Sequence, residues 1–396
     1  MKNDILVLNS GSSSIKFGLY EGDLPELPMI SHGQITGIGG SNTQLTAYRS
    51  EDGEPLIDKA LGDNVDHGRA MSILVEWGRQ REVTRDVAAI GHRVVHGGTL
   101  YDGAVLVNPD VLAKLEKLNP LAPLHQPHNL AGIRALSKLV PELPQVACFD
   151  TAFHHNLPLL AQQFALPERY YEKGVRRYGF HGLSYEYISS ILPDVIGEKI
   201  ASGKVIVAHL GNGASMCALN DLQSIDTTMG FTALDGLPMG TRCGNLDPGV
   251  VIYLQNEMGM TTDEVSKLLY NQSGLLGVSG ISNNMQELLA SDEKSARNSI
   301  DLYVYRINRE LGALVSSLGG LDALVFTAGI GEHSSEIRKR VCVLASWLGF
   351  EIDDDANQRH DLCISTKEST IPVWVIPTNE EGMIAQHTRH LLNGKA

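Results

Sequence analysis

A strand–turn–strand unit occurs twice in this chain, and that repeat constrains its fold more than any other feature. Residues 5–20 read ILVLNSGSSSIKFGLY. An apolar run from Ile5 to Leu8 is broken by Ser and Gly, after which Ile15, Phe17 and Leu19 alternate with other residues, the period of a strand. Residues 205–219 read VIVAHLGNGASMCAL. Again an apolar run meets a Gly/Asn turn, and Met216 and Ala218 then alternate with small or polar neighbours. Each unit closes on a second turn, at Glu21-Gly22-Asp23 and at Asn220-Asp221. A unit repeated about half a chain apart predicts a duplicated domain; two unrelated hairpins would leave the same trace.

Helices are expected between these units. Residues 127–140 open with proline and place Leu130, Ile133 and Leu136 at helical spacing. Residues 296–318 put Ile300, Val304, Ile307, Leu311, Leu314 and Leu318 on one face, and Gly319-Gly320 ends the run. Thr262-Asp263-Glu264 opens another helix with acids in its first turn, and a last helix follows Asn379 and ends near Gly394. Strands interleaved with helices place the chain in the α/β class. At about 150 residues per domain, 396 residues predict two to three domains.

Composition narrows the function. The net charge is −14, from 32 basic and 46 acidic residues, and there is no basic run. A nucleic-acid or anionic-membrane surface is therefore not expected, and an anionic substrate would have to meet a few local cations. The five cysteines, Cys148, Cys217, Cys243, Cys342 and Cys363, form no CxxC and read as reduced thiols of a cytoplasmic protein. The N-terminal MKNDILVLN has too short an apolar run for a signal peptide, and no stretch of ~18 apolar residues predicts a membrane span. Glycine, 40 residues of 396, exceeds the usual ~7%, which fits many tight turns or backbone-lined sites.

Three glycine-containing turns could carry chemistry. In Asn9–Lys16 (NSGSSSIK), small residues let backbone N–H groups approach an oxyanion, four serines add hydroxyls and Lys16 adds charge. His209–Ser215 (HLGNGAS) repeats the logic around Asn212, and FTAGIGEHSSEIRKR at 326–340 gives a strand end, a glycine turn and a helix expected to start near Ser334. A plain turn is the alternative at each. None is a GxxxxGK[ST] loop. The 14 histidines include His92/His96, His125/His128 and His154/His155; without an HExxH or a nearby cysteine, zinc is not expected. Arg93 in IGHRVVHGG and Arg242 in PMGTRCGN sit among apolar residues and glycines. Each needs an anionic partner, either an internal carboxylate or a carboxylate or phosphate ligand. Asp150 follows an apolar run and belongs at a strand end. Glu380-Glu381 are metal-ligand candidates, or acids complementing the dipole of a helix.

Ten ordered motifs then carry a resemblance: LNSGSSSIKF, IGHRVVHGG, APLH, FDTAFH, RRYGFHG, HLGNGAS, MGTR, SGLLGVSG, FTAGIGE and IPTNEE. From about residue 4 to about residue 392 the chain resembles the acetokinase family, which takes in acetate, propionate and butyrate kinases. The resemblance implies the duplicated two-domain α/β fold of actin, the Hsp70 ATPase domain and sugar kinases, which is ribonuclease H-like. It also implies a lobe at 1–150 completed by a helix at 383–396, and a nucleotide-binding lobe at 151–382. The implied activity is reversible in-line transfer of the γ-phosphoryl of ATP to acetate or propionate, giving acyl phosphate and ADP, with Mg²⁺ or Mn²⁺, in a cytoplasmic homodimer. Asn9, Ser14 and Lys16 would lie near the transferring group, with Asn9 and Glu380 at the metal and Asp150 among the catalytic residues, holding the metal directly or through water. Arg93 and Arg242 would clamp substrate and equatorial oxygens, His181 would bond the transferring group and His125 would support it. His209, Leu210, Gly211, Asn212 and Gly213 would line the phosphate path; Asn284, Met285, Gln286, Gly329, Ile330 and Gly331 would border the nucleoside. Val95, Leu124, Phe180 and Ala233 would form the acyl pocket.

Such a set suits the reaction. The attacking carboxylate is already an anion, so the task is to bring two anions in line and neutralise the spreading charge. Departures from the family pattern bear on specificity. Ala233, in TALDGL, stands where the family usually has proline, which would leave room for about one more methylene and admit propionate. Asn284 and Gln286, in SNNMQ, stand where an acid and an arginine are usual, which would weaken ATP binding or admit pyrophosphate as donor. A non-catalytic nucleotide-binding module is the reading from another class. Lesser departures are GLSY at 182–185 and CGN at 243–245, where GTSH and SGD are usual.

Overall fold

The structure is a computed structural model that describes residues 3–80, 87–123 and 125–394. Its contacts divide the chain into two units, Met1–His155 with Asn379–Ala396, and Asn156–Thr378.

The first unit is built on one sheet. Its strands are β1 (Asp4–Ser10), β2 (Ser14–Tyr20), β3 (Met29–Thr36), β4 (Thr43–Arg49), β5 (Pro55–Gly62), β6 (Val87–Val94), β7 (Val105–Leu106) and β8 (Gln145–Phe149). Their spatial order is β5-β4-β3-β2-β1-β6-β8-β7. Strands β1 to β5 pair antiparallel, whereas β6 lies parallel to β1 and β8 parallel to β6. Parallel neighbours need crossover connections, and the helices His67–Gln80 and Gln126–Leu139 lie within them. Both pack on one sheet face, where Leu8, Ile15, Phe17, Met71, Leu74, Ile90 and Leu136 form a buried core. The opposite face receives the helix Glu380–Leu392, which packs on β1, β6 and β8. Gly91 permits this approach: a Cβ there would fall 2.4 Å from Thr388 Oγ1 and 2.6 Å from Ile384 Cγ2.

The second unit holds β9 (Lys204–Leu210), β10 (Ala214–Asn220), β11 (Gln223–Thr227), β12 (Ala323–Thr327) and β13 (Val373–Val375), in the order β11-β10-β9-β12-β13. Strand β12 is buried along its whole length, as expected of a parallel strand covered on both faces. The helix Lys294–Leu318 buries Ile300, Val304, Ile307, Leu311, Leu314 and Leu318, the six residues that the spacing put on one face, and ends at Gly319 with φ 67°.

The duplication is explicit in the topology. The order β3-β2-β1-β6-β8 in one unit matches β11-β10-β9-β12-β13 in the other, with the same pattern of two antiparallel and two parallel pairings. Both hairpins turn in three residues, closed by Gly11 N–H to Ser14 O at 2.8 Å and by Gly211 N–H to Gly213 O at 3.1 Å. Strands β4, β5 and β7 have no counterpart in the second unit. Residues 151–155 and 379–382, assigned from sequence to the second lobe, lie with the first unit. Asn379 caps the helix that packs there, its Oδ1 accepting from Gly382 N at 2.9 Å.

A second difference concerns FTAGIGE. A helix begins at Ala328 directly after β12 and runs to His333; Ser334 then caps a separate helix, Ser335–Leu344. Glycines at 329 and 331 lower helix propensity. The start is held instead by Glu332, whose Oε1 accepts from Ala328 N at 2.7 Å and from Thr378 N at 3.1 Å.

Candidate active site

In the first unit the candidate residues collect where β1, β6 and β8 end. Asn9 on β1 lies opposite Lys16 on β2. Arg93 is next to last on β6, and Asp150 follows β8, its N–H donating to Val94 O at 3.2 Å. The Arg93 guanidinium meets Asp150 twice, Nε to Oδ1 at 3.0 Å and Nη2 to Oδ2, and Nη1 lies 3.4 Å from Asn9 Oδ1. The Asp150 side chain is 2% exposed and that of Arg93 20%. Burial works against the Arg93 charge, but Asp150 and Glu380 outweigh it and hold its pKa above the usual value. Glu380 opens the C-terminal helix. Desolvation raises its carboxyl above the usual range, opposed by Arg93 and then Lys16. Ser14 begins β2 and His125 precedes the helix Gln126–Leu139. Val95, 5% exposed, follows β6. Leu124 lies outside the described residues.

In the second unit the sites gather at the ends of β9 and β12. His181 has a left-handed backbone, φ 57°, at the start of the helix Gly182–Ile196. Its Nδ1 lies 2.8 Å from Ser215 Oγ, which is also 2.5 Å from Tyr185 OH. The His181 ring stacks on His209 with centroids 4.1 Å apart. His209 Nδ1 lies 2.9 Å from Ser184 Oγ, and that hydroxyl 2.8 Å from Thr378 Oγ1. Arg242 Nη1 donates to Ala233 O at 2.9 Å. A Cβ on Gly213 would lie 3.3 Å from His181 Nε2 and 3.9 Å from Arg242 Nη1. The absence of a side chain at Gly213 therefore keeps open a space bordered by an imidazole and a guanidinium. Phe180, 2% exposed, immediately precedes His181.

A cavity of about 460 Å³ lies beside this turn. Gly211, Asn212, Asn283–Gln286, Gly329, Ile330 and His333 line it. It thus brings together the two segments expected to border the nucleoside and the turn expected to line the phosphate path. Asn284 caps the short helix Met285–Leu289, its Oδ1 accepting from Gln286 N at 2.8 Å. His209, Leu210, Gly213 and Gly331 are not among the lining residues. Gly331 instead gives its carbonyl to Arg338 Nη1 at 2.8 Å.

Sequence reasoning missed the side chains that hold these elements. Asn129, Gln126 and Thr151 satisfy the backbone of Val95, His96 and Gly97, and His67 Nε2 lies 2.7 Å from Gly11 O. Arg338, fully buried, donates to Asn357, Gly331, Glu332 and His360. A polar residue just inside a helix start was the available signal for Gln126 and Asn129. Nothing local marks the others.

The family model of the acetokinase family matches residues 4–386. The chain belongs to the acetokinase family. The acetate kinase of Rhodopseudomonas palustris is 56% identical to it over the whole of both chains, and that of Nitrobacter hamburgensis 53% over 98% of this chain and 96% of that one. Among solved structures, a propionate kinase from Francisella tularensis superposes with a TM-score of 0.92 at 39% identity, covering 97% of this chain and 98% of its own. The acetate kinase of Porphyromonas gingivalis gives 0.88 at 36%, covering 98% and 100%. These full-length likenesses place the duplicated α/β fold within the acetokinases, as the ten motifs implied.

Among the described residues no three His, Cys, Asp or Glu side chains gather as a metal cluster, and no helix is long and apolar enough to cross a membrane. The first unit offers oxygen donors from Asn9 and Glu380. That set fits Mg²⁺, which takes one or two carboxylates and fills its sphere with water and substrate phosphates.

Proposed function

We propose that the protein transfers the γ-phosphoryl of ATP to acetate or propionate, reversibly, forming acyl phosphate and ADP. The observation that carries this reading is the arrangement of His181 Nε2 and Arg242 Nη1 around the side-chain-free Gly213. An acceptor carboxylate oxygen attacks the γ-phosphorus, the bond to the β,γ-bridging oxygen breaks, and that electron pair leaves on ADP. The spreading charge on the equatorial oxygens is met by Arg242 and by a hydrogen bond from His181. The Ser215–Tyr185 pair orients His181, and His209 backs its ring. Arg93, fixed by Asp150, binds the acceptor carboxylate or an equatorial oxygen, with His125 in support. By the resemblance, Val95 of the first unit and Phe180 and Ala233 of the second are the acyl-binding candidates. Asn9 and Glu380 would hold Mg²⁺ or Mn²⁺, which would screen the phosphate charges; Asp150 acts chiefly through Arg93.

Ser14, Lys16 and the turns at 9–16 and 209–213 take the phosphates. The cavity bordered by Asn284, Met285, Gln286, Gly329 and Ile330 takes the nucleoside. Its size supports ATP as donor, since pyrophosphate has no base to fill it. The helix Pro248–Asn256 buries none of its residues and exposes Val250, Ile252 and Tyr253, with Leu246 and Met258 exposed at its flanks. An apolar surface of this kind supports a homodimer, and the acidic net charge fits a cytoplasmic enzyme that binds neither nucleic acid nor membrane.

The deciding experiment assays formate, acetate, propionate and butyrate against ATP and pyrophosphate, with acyl phosphate trapped as hydroxamate. ATP with acetate or propionate should give the highest turnover. Product from pyrophosphate alone, or from no pair, rejects the reading. Sedimentation of the parent and of Ile252→Asp tests the dimer.

A further inference from the structure

We propose that Asn129 is a positioning residue for phosphoryl transfer, setting the separation of β1 and β6 at the ends that carry Asn9 and Arg93. The proposal rests on the catalytic reading above. The parallel pairing of β1 with β6 runs to Leu8 opposite His92 and stops. Past that point the carboxamide of Asn129 bridges the two chains as a peptide group would. Its Nδ2 donates to Ser10 O at 2.6 Å and its Oδ1 accepts from Val95 N at 3.0 Å. The side chain belongs to the helix Gln126–Leu139 and the residue is 3% exposed. Capping does not require it, because the helix is entered at His125, where no side-chain cap bond forms.

The neighbouring backbone is treated the same way. Gln126 bonds both groups of His96, accepting from its N–H at 3.1 Å and donating to its carbonyl at 3.0 Å. Thr151 Oγ1 accepts from Gly97 N at 3.1 Å. Side chains, not a sheet ladder, therefore hold the chain leaving β6. Asn129 is the one that reaches across to β1. Asn9 adjoins Ser10, Arg93 lies two residues before Val95, and their side chains are 3.4 Å apart at Oδ1 and Nη1. Without the bridge, two buried backbone groups lose their partners and the strand ends are free to splay. A displacement near 1 Å of groups that align reactants costs on the order of 10²-fold in rate.

The test uses the full chain with Asn129→Leu, which keeps the bulk and removes both polar atoms, and Asn129→Asp. Asn129→Leu should lower kcat on the order of 10²-fold and speed exchange of the Val95 amide, with the KM for ATP moving by less than about threefold, inside the range of a small binding change. In Asn129→Asp a protonated carboxyl reproduces donor and acceptor, whereas the ionised form sets an anionic oxygen against Ser10 O. Its kcat relative to the parent should therefore rise as pH falls from 8 to 6. A folded Asn129→Leu with parental kcat overturns the proposal, as does a pH-independent ratio for Asn129→Asp. If Asn129→Leu does not fold, the Asn129→Asp ratio decides alone. A parent chain that makes no acyl phosphate rejects the catalytic reading instead, and exchange at Val95 still reports whether Asn129 ties the strands.

Discussion

The guanidinium of Arg93 spans both carboxylate oxygens of Asp150, joining the ends of the neighbouring strands β6 and β8. A planar fork matched to a planar carboxylate fixes orientation as well as charge. Asp150→Asn keeps the shape and removes the charge. We expect kcat to fall on the order of 10²-fold through misplacement of Arg93. Stability should fall by about 2–3 kcal/mol, below the usual cost of breaking a buried pair because Arg93 retains some solvent. Replacing both residues by leucine should recover much of the stability and none of the turnover. Recovery of turnover in that double variant would remove Arg93 from the reaction.

Gly213→Ala separates folding from chemistry. Gly213 is outside the left-handed region, so alanine fits its backbone, yet the new methyl carbon would sit 3.3 Å from His181 Nε2. Melting should change by no more than a few degrees, while kcat drops at least about tenfold because the space for the transferring group is filled. Unchanged kcat in the folded variant would show that this space is not where the phosphoryl passes.

What the sequence revealed was what is local. The twin hairpins and the long helix Lys294–Leu318 announce themselves by period, because one buried face imposes it. Asp150 was legible as the residue after an apolar strand. The polarity of Asn129 near a helix start was legible but its task was not, since that exists only where two strands diverge that are 85 residues apart in sequence at Ser10 and Val95. Arg338 was not legible either: it lies in the charged run EIRKR, yet it is fully buried and makes its bonds to carbonyls, an amide and His360. The helix at Ala328 was hidden by its glycines, because the carboxylate that secures it lies at its far end.

The cavity proposed for the nucleoside has Asn284 and Gln286 where the resemblance leads one to expect an acid and an arginine. Gln286→Arg would add a cation to its wall, and a charge-assisted contact is roughly twice as strong as a neutral one. The KM for ATP should fall about tenfold, equivalent to ~1.4 kcal/mol, with kcat little changed. Calorimetric titration with ATP and with pyrophosphate checks the location of the effect: a gain confined to pyrophosphate would contradict a nucleoside in this cavity.

Acid sensitivity follows from two buried histidines of the first unit. Burial pushes His92 down to about 4 against a hydrogen bond with Gln145, and burial pushes His96 down to about 4. Above pH 6.5 both are neutral whether the chain is folded or not, so they add no pH dependence. Between 6.5 and 4 the unfolded chain binds protons that the fold refuses, and stability falls as pH falls; below about 4 their contribution levels off. Each accounts for roughly 3 kcal/mol over that window. Urea midpoints at pH 7.5, 6 and 5 should decline accordingly, and the two imidazoles should not titrate by NMR above pH 5. Titration of either near 6.5 would cancel its share.

Ala233 sets the last expectation, acceptor choice. Its carbonyl accepts from Arg242 Nη1, a bond that proline can also make, so Ala233→Pro restores ring atoms without removing the Arg242 contact. If those atoms border the acyl chain, the parent should use propionate nearly as well as acetate. Ala233→Pro should then favour acetate by about 10-fold or more, since one methylene is worth ~1–3 kcal/mol of discrimination. The ratio of kcat/KM for the two acids in parent and variant reads this directly. A parent that already prefers acetate a hundredfold would mean that another residue limits the chain length, with Ala233 serving only to anchor Arg242.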